Sequence, residues 1–204
     1  MNQMYKRYSF YCSGGASRII KFYETNSILD YPIESILYDG VNGDVIYKLK
    51  KLFGNKLIVF SVGNDVSGRL YSMLNQSNTD YMFCFGKRIL KGELLTKYKN
   101  KIINFHPSLL PAFPGINSID RALESSVQLI GNTAHFIDAG IDTGPIIMQS
   151  VISKSSYTNY EDVLSLQLKM LNVIWNLLDN SKIEVVDDKV NIDECINENK
   201  FFSI

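Results

Sequence analysis

The sequence predicts an α/β fold: a mainly parallel, Rossmann-like sheet with helices on both faces and a short C-terminal hairpin. Three observations predict it. Short apolar runs alternate with amphipathic stretches at least four times, the pattern of parallel strands joined by crossover helices. The first run, Tyr8 to Cys12, leads straight into Ser13-Gly14-Gly15-Ala16-Ser17-Arg18 and then the apolar helical positions Ile19, Ile20 and Phe22. A later run, Ile102 and Ile103, ends on Asn104-Phe105-His106 before Pro107. Proline cannot donate a ladder hydrogen bond, so that strand stops there.

A chain of 204 residues suits one domain spanning residues 1–204, large enough to bury roughly 70% of its unfolded surface. Its 21 basic and 21 acidic residues cancel, which leaves no global field to draw nucleic acid or an anionic membrane. Cys12, Cys84 and Cys195 are odd in number and far apart, with no Cys-x-x-Cys or Cys/His cluster. That spacing argues against a disulfide framework or a zinc site and fits a reducing compartment. No apolar run approaches the ~20 residues of a membrane span, and the polar start from Met1 to Arg7 is no signal peptide. The expectation is a cytoplasmic protein that meets small molecules, without metal, nucleic acid or membrane. The oligomeric state is left open.

In chain order, Tyr8 to Cys12 is the first strand. The Ser13–Arg18 turn and the helix after it aim backbone N–H groups and a helix dipole at an anion, or the glycines merely permit a tight turn. Ile33 to Tyr38 is a second strand and Asp44 to Phe53 a helix, with Lys48, Lys50 and Lys51 on its solvated face. Lys56 to Val62 reads as a continuous apolar strand of the kind buried on both sides. A helix surrounds Arg69 to Leu74, and Tyr81 to Phe85 is the fourth strand. Gly86-Lys87-Arg88-Ile89-Leu90 follows it, with Lys87 and Arg88 also readable as an exposed basic turn. Glu93 to Tyr98 adds a turn or two of helix before the Asn104 strand.

Ser118 to Ser126 is expected helical with Ser118 as N-cap. Asn132 to Asp138 and Gly144 to Met148 are further strands, the first carrying His135. Thr158-x-x-Glu161 reads as a capping box. It opens a long helix whose Leu164, Leu168, Leu171, Trp175 and Leu178 form one apolar stripe. Lys182 to Ile192 is a closing hairpin that turns near Asp187-Asp188, and the tail to Ile204 is uninformative.

The candidate site lies between Asn104 and Gln149, which holds both histidines and four of the five prolines. Asn104 and His106 are two apart on a strand and share a face. They sit at the carboxyl end of a strand, where α/β sheets bind ligands. The stretch reads Asn104-Phe105-His106-Pro107-Ser108-Leu109-Leu110-Pro111-Ala112-Phe113-Pro114-Gly115, then Gly131-Asn132-Thr133-Ala134-His135, then Asp142-Thr143-Gly144-Pro145-Ile146-Ile147. It resembles the core of the folate-dependent formyltransferases, the group that includes glycinamide ribonucleotide (GAR) transformylase. The family pattern is Asn-x-His-Pro-Ser-Leu-Leu-Pro-x-(Phe/Tyr)-x-Gly, then Gly-x-Thr-x-His and Asp-x-Gly-Pro-(Ile/Val)-Ile. The resemblance covers nearly all of the chain, strongly from Gly86 to Gln149.

The resemblance implies that Asn104, His106 and Asp142 are catalytic and that His135 supports them, although a histidine within a strand is also a common packing residue. It implies that 10-formyltetrahydrofolate is clamped between Arg88, Ile89 and Leu90 on one side and Ile137, Asp138, Gly140 and Ile141 on the other. The phosphate-bearing acceptor amine would meet Ser13, Gly14, Gly15, Ala16, Ser17, Arg18 and Lys169. Ala16 and Arg18 depart from the Ser-Gly-x-Gly-Ser-Asn of GAR transformylases, Lys169 is the only charge in its helix region, and Ala134 replaces a β-branched residue. The departures at Ala16, Arg18 and Lys169 point to an amino sugar carried on a nucleotide as acceptor, whereas Ala134 touches packing rather than chemistry. The core similarity points to GAR, which is the reading taken here. Methionyl-tRNA formyltransferases carry a further C-terminal domain, and formyltetrahydrofolate deformylases an N-terminal regulatory one, which steers the expectation away from both.

Formyl transfer needs a neutral amine, a stabilised oxyanion and a route for one proton. Asn104 can donate to the formyl oxygen, and a protonated His106 adds a charged donor. Asp142 can keep that ring charged and manage the proton. A Ser108–His–Asp hydrolase would use the same residue types, but Ser108 lacks the Gly-x-Ser-x-Gly elbow. A folate- or nucleotide-binding module without turnover is the non-enzymatic alternative.

Overall fold

A computed structural model describes residues 6–25, 32–61, 63, 65–156 and 158–193; Cys195 and the C-terminal tail lie outside them. Its element order is β1 (Tyr8–Cys12), α1 (Ser17–Thr25), β2 (Ile33–Tyr38), α2 (Gly43–Phe53), β3 (Leu57–Val59), α3 (Val66–Gln76), β4 (Tyr81–Phe85), α4 (Glu93–Lys97) and β5 (Ile102–His106). Then come α5 (Ser118–Glu124), β6 (Leu129–Phe136), β7 (Ile146–Ser153), α6 (Tyr160–Asp179), β8 (Ile183–Val186) and β9 (Lys189–Ile192). Seven strands form one sheet in the order β3-β2-β1-β4-β5-β6-β7. The first four pairings are parallel; β6 and β7 run antiparallel.

Strand alternation divides the core. Tyr8, Phe10 and Cys12 face α1, α2 and α6, whereas Tyr11, Met82 and Cys84 face α3 and α4. Trp175 of α6 is fully buried, its ring 4.3 Å from Tyr8, 5.3 Å from Phe83 and 5.7 Å from Phe10. The expected stripe on α6 is buried at Leu168, Leu171, Trp175 and Leu178. Ala134 is also fully buried, so the smaller residue is accommodated in the packing.

Four boundary expectations need correction. Lys56 to Val62 is not a doubly buried strand: only Leu57–Val59 is strand, and Val62 lies outside the described residues. β3 is the sheet's edge with one neighbour, which leaves Ile58 and Val59 36% and 43% exposed. At α5 the N-cap is Asn117, whose φ of 53° is left-handed, and Ser118 is already helical. Asparagine tolerates that region better than most residues. The capping box of α6 is Asn159 with Asp162, one residue beyond the Thr158–Glu161 frame; Thr158 instead accepts from Ser155 N–H. β6 and β7 also run to Leu129–Phe136 and Ile146–Ser153, because each pairs along the other beyond the site. The closing hairpin turns at Asp187 and Asp188, both at positive φ, as a tight two-residue turn requires.

The chain winds outward from β1 to β3 and returns to β4 on β1's other side. The crevice outside the carboxyl ends of β1 and β4 is thus the topological switch point, the usual ligand position in such sheets. Ser13–Arg18 follows β1, Gly86–Leu90 follows β4, and His106 ends β5, so all three meet at one edge.

Candidate active site

β5 aligns Cys84 with Asn104 on one side and Asn104 with His135 on the other. Phe105, between the two polar residues, points into the opposite face, 5.4 Å from the Phe85 ring. After Pro107 the loop is stapled to the sheet. Thr133 Oγ1 donates to Ser108 O and accepts from Leu110 N–H and Gln149 Nε2. Ser108 Oγ donates to Ala112 O at 2.6 Å, with Phe113 O at 3.2 Å. That hydroxyl is committed to loop carbonyls and is no partner of His106, which removes the geometry of a serine hydrolase.

Asp142 arrives on the β6–β7 connection in a left-handed conformation, φ 55°. The connection is shaped by Asp138 Oδ1, which accepts from Gly140 N–H at 3.0 Å and Thr143 Oγ1 at 2.8 Å. Gly144 is required there: an added β-carbon would lie 1.9 Å from the Phe136 carbonyl oxygen. Asp142 Oδ2 accepts from Gly115 N–H at 2.8 Å and lies 3.2 Å from His106 Nδ1. His106 Nε2 donates to the Phe113 carbonyl at 2.9 Å. Both ring nitrogens thus face acceptor oxygens, and only the doubly protonated ring can donate to both.

His135 Nδ1 donates to the Phe136 carbonyl at 2.9 Å. Its Nε2 is shared, 3.2 Å from Asn104 Nδ2 and 3.7 Å from Asp142 Oδ1. The shorter contact is a hydrogen bond and the longer one an ion-pair distance, so the ring bridges the Asn104 amide and the Asp142 carboxylate. His135 imidazole, the Gly115 N–H and His106 hold the Asp142 carboxyl below its ordinary range, the His135 contribution being the largest, against a smaller upward push from burial. Asn104, His106, His135 and Asp142 therefore form one connected cluster.

The cluster lies in a cleft of about 210 Å³ whose walls include Arg88, Ile89, Leu90, Ile116, Ile137, Asp138, Gly140 and Ile141. Ile89, Leu90, Ile137, Asp138 and Gly140 also line a larger pocket of about 840 Å³ that reaches Leu95 and Lys99 of the α4 region. Every residue expected around the cofactor thus lines the cleft. The acceptor loop is next to it. Ser13 Oγ accepts from Lys87 N–H at 2.7 Å, and Tyr38 Oη donates to the Gly14 carbonyl at 2.6 Å. Gly14 and Ala16 are left-handed, with φ 60° and 49°. The Arg18 guanidinium lies 5.4 Å from the Phe85 ring centroid, where burial lowers its basicity. Lys169, in contrast, is exposed on α6, and among the described residues no hydrogen bond or ion pair joins it to the loop.

Several contributors were not singled out from the sequence. Asp39 is buried, accepts from Tyr11 Oη at 2.8 Å and lies 3.6 Å from Arg88 Nε; its place directly after a strand was the available signal. The Phe113 carbonyl and Gly115 N–H are backbone groups, and their side-chain identities carried no signal. Cys12 and Cys84 are buried thiols, with burial raising both, Cys84 to about 11. Among the described residues no three His, Cys, Asp or Glu side chains are grouped to hold a metal ion, and no helix is long and apolar enough to cross a membrane.

A mainly parallel sheet with a polar Asn–His–Asp cluster beside the carboxyl ends of its strands defines the class of an α/β protein with a ligand-sized cleft. Residues 60–170, more than half of the chain, match the family described as Formyl transferase, and the chain belongs to that family. Over 76 residues it is 46% identical to a phosphoribosylglycinamide formyltransferase of Bacillus subtilis, a match covering 37% of this chain and 39% of that protein. It is 44% identical over 77 residues to a formyltetrahydrofolate deformylase of Haemophilus influenzae, covering 38% and 28% respectively. The matched stretch thus spans well under half of either relative. Among solved structures, glycinamide ribonucleotide transformylase 1 from Geobacillus kaustophilus superposes with a TM-score of 0.72 at 27% identity, covering 85% of this chain and 98% of that one. The corresponding protein from Symbiobacterium toebii gives 0.81 at 24% identity over 94% and 95%, a likeness of fold.

Proposed function

We propose that this chain is a cytoplasmic enzyme that transfers the formyl group of 10-formyltetrahydrofolate to the primary amine of phosphoribosylglycinamide. The observation that carries the reading is the convergence of Asn104, His106 and Asp142 at the floor of one cleft, with His106 Nδ1 3.2 Å from Asp142 Oδ2. The cleft suits the folate: Ile89, Leu90 and Ile137 offer apolar walls to a flat ring, while backbone groups of Arg88 to Leu90 can read its edge. When bound, the folate supplies an activated formyl group on a ring-linked nitrogen. Leu90 and Ile137 would hold the ring, and the reacting carbon would lie over Asn104.

Asn104 has two amide hydrogens. One faces His135 Nε2 at 3.2 Å, which turns the other toward the cleft as a donor to the formyl oxygen. His106 adds the charged donor, and its Nε2 reaches the cleft as the Phe113 carbonyl yields its hydrogen bond. The Asn104 hydrogen is in place before charge develops on that oxygen and so lowers the barrier without reorganisation. Asp142, kept ionised, stabilises the imidazolium, takes the proton of the attacking amine through water and passes it on to the folate nitrogen as the bond from that nitrogen to the formyl carbon breaks. Ser13 to Arg18 receive the acceptor's phosphate.

The test is direct. The protein is incubated with 10-formyltetrahydrofolate, with and without GAR or a nucleotide-linked amino sugar, and tetrahydrofolate, formyl-GAR and free formate are quantified. GAR-dependent formyl-GAR production supports the reading. GAR-independent formate, a deformylase outcome, or transfer only to the amino sugar would replace it.

A further inference from the structure

The turn after β4 is joined to the turn after β1 at Lys87 in two ways. Its backbone N–H donates to Ser13 Oγ at 2.7 Å. Its side chain lies over Gly14, where an added β-carbon would be 3.7 Å from both Cε and Nζ. The ammonium is therefore laid along the glycine turn although the residue is exposed. Its neighbour Arg88 has a carboxylate partner in Asp39. Lys87 and Arg18, among the described residues, have no ion pair. Arg18 instead rests on Phe85, at the strand end that leads into Lys87. Lys87 also lines the cleft that contains Asn104, His106 and Asp142. An anion beside its ammonium is thus within the same cleft as the reacting groups.

From this arrangement we propose that Lys87 determines acceptor specificity: its ammonium, with the Arg18 guanidinium, binds the phosphate of the acceptor and selects it over its phosphate-free counterpart. The proposal deepens the reading of formyl transfer to a phosphorylated amine and rests on it. A phosphate monoester is a compact dianion with three acceptor oxygens, and two cations from separate elements can engage it together. The hydrogen bond to Ser13 fixes the lysine's backbone, so only its flexible stem adapts to the ligand. Exposure makes the contact sensitive to screening, so its effect shrinks as ionic strength rises.

Lys87→Met keeps the stem and the backbone N–H and removes the charge. The comparison is kcat/KM toward GAR and toward the same riboside without phosphate, for both proteins at low salt. Toward GAR the variant is expected to lose roughly tenfold, the scale of one charge-assisted hydrogen bond, through KM with kcat nearly unchanged. Toward the phosphate-free acceptor it loses nothing, and Lys87→Arg restores most of the GAR activity. Equal losses toward both acceptors reveal a structural role and overturn the proposal, as does no loss toward either. If the natural protein formylates neither amine, the transfer reading fails on its own account. The lysine is then judged by calorimetric titration with ribose 5-phosphate: weaker binding to Lys87→Met supports its role, and equal binding overturns it.

Discussion

The two ends of the cleft are built by different means. At the β5–β6 end, Asn104, His106, His135 and Asp142 share hydrogen bonds and ion-pair contacts with one another, and each is additionally held by backbone or by a ladder pairing. His106 and His135 are only 5% and 2% exposed. At the β1 end, Ser13 to Arg18 form an open turn tied down by the Tyr38 hydroxyl and the Lys87 backbone N–H, with the Lys87 stem alongside Gly14. The first region is one connected network, so one change disturbs several contacts. The second presents Lys87 and Arg18, which have no ion pair among the described residues. On the proposed reading the chemistry is set by packing, and the choice of acceptor by a few exposed side chains that can change without unmaking the fold.

The largest expected effect breaks the first region. Asn104→Ala or His106→Ala removes one preorganised donor and should lower kcat by ~10²–10³-fold, with folate binding nearly unchanged by equilibrium titration. The double variant should cost less than the product of the singles, because the two residues act on the same oxygen.

A smaller effect separates positioning from chemistry. His135→Leu fills similar space but removes the ring that positions the Asn104 amide, and about a tenfold fall in kcat is expected, on the scale of one hydrogen bond. Folate KM should stay constant. A parallel rise in folate KM would mean instead that the cleft wall had moved.

The second region should respond in KM. Tyr38→Phe removes the hydrogen bond to the Gly14 carbonyl and should raise acceptor KM by roughly three- to fivefold, with kcat maintained. A fall in kcat without change in KM would place Tyr38 with the reacting groups.

The smallest effect is a pH dependence of stability. The Asp142 carboxyl is held below its ordinary value in the folded protein, above all by His135. Its contribution to stability is therefore fully present above the unfolded value of about 4 and is lost as pH falls toward the folded one. Urea midpoints measured from pH 6 to pH 3 should fall more steeply for the natural protein than for Asp142→Asn. Equal slopes would show that the carboxylate gains nothing from its partners.

The same contrast explains what could be read from the sequence. Strands β1, β2, β4 and β5 lie where their apolar runs end, because Gly, Asp-Gly and Pro break a strand for local reasons. Asn104 and His106 share a face for the same kind of reason, the two-residue strand period. β3 was misjudged because burial depends on how many strands flank it, which is a property of the whole sheet. The caps of α5 and α6 slipped by one residue because Asn117-Ser118 and Thr158-Asn159 each offer two eligible caps, and only backbone dihedrals choose between them. The Phe113 carbonyl on His106 follows from a left-handed φ of 54° at a phenylalanine, a conformation that residue type does not advertise. Lys87 is exposed, as in the basic-turn alternative, and nothing local signals that its stem lies along Gly14.

The central claim is that Asp142 acts through its charge on His106 and on the moving proton. The measurement is formyl transfer to GAR by Asp142→Asn, with folate affinity determined on the same sample. The variant keeps the shape and can still accept the Gly115 N–H, but it cannot hold the imidazolium. Turnover should fall by ~10²-fold or more, the scale of general acid–base catalysis, while folate affinity changes little. Transfer that stays intact while folate binding is lost would make the carboxylate a folate ligand and contradict the account.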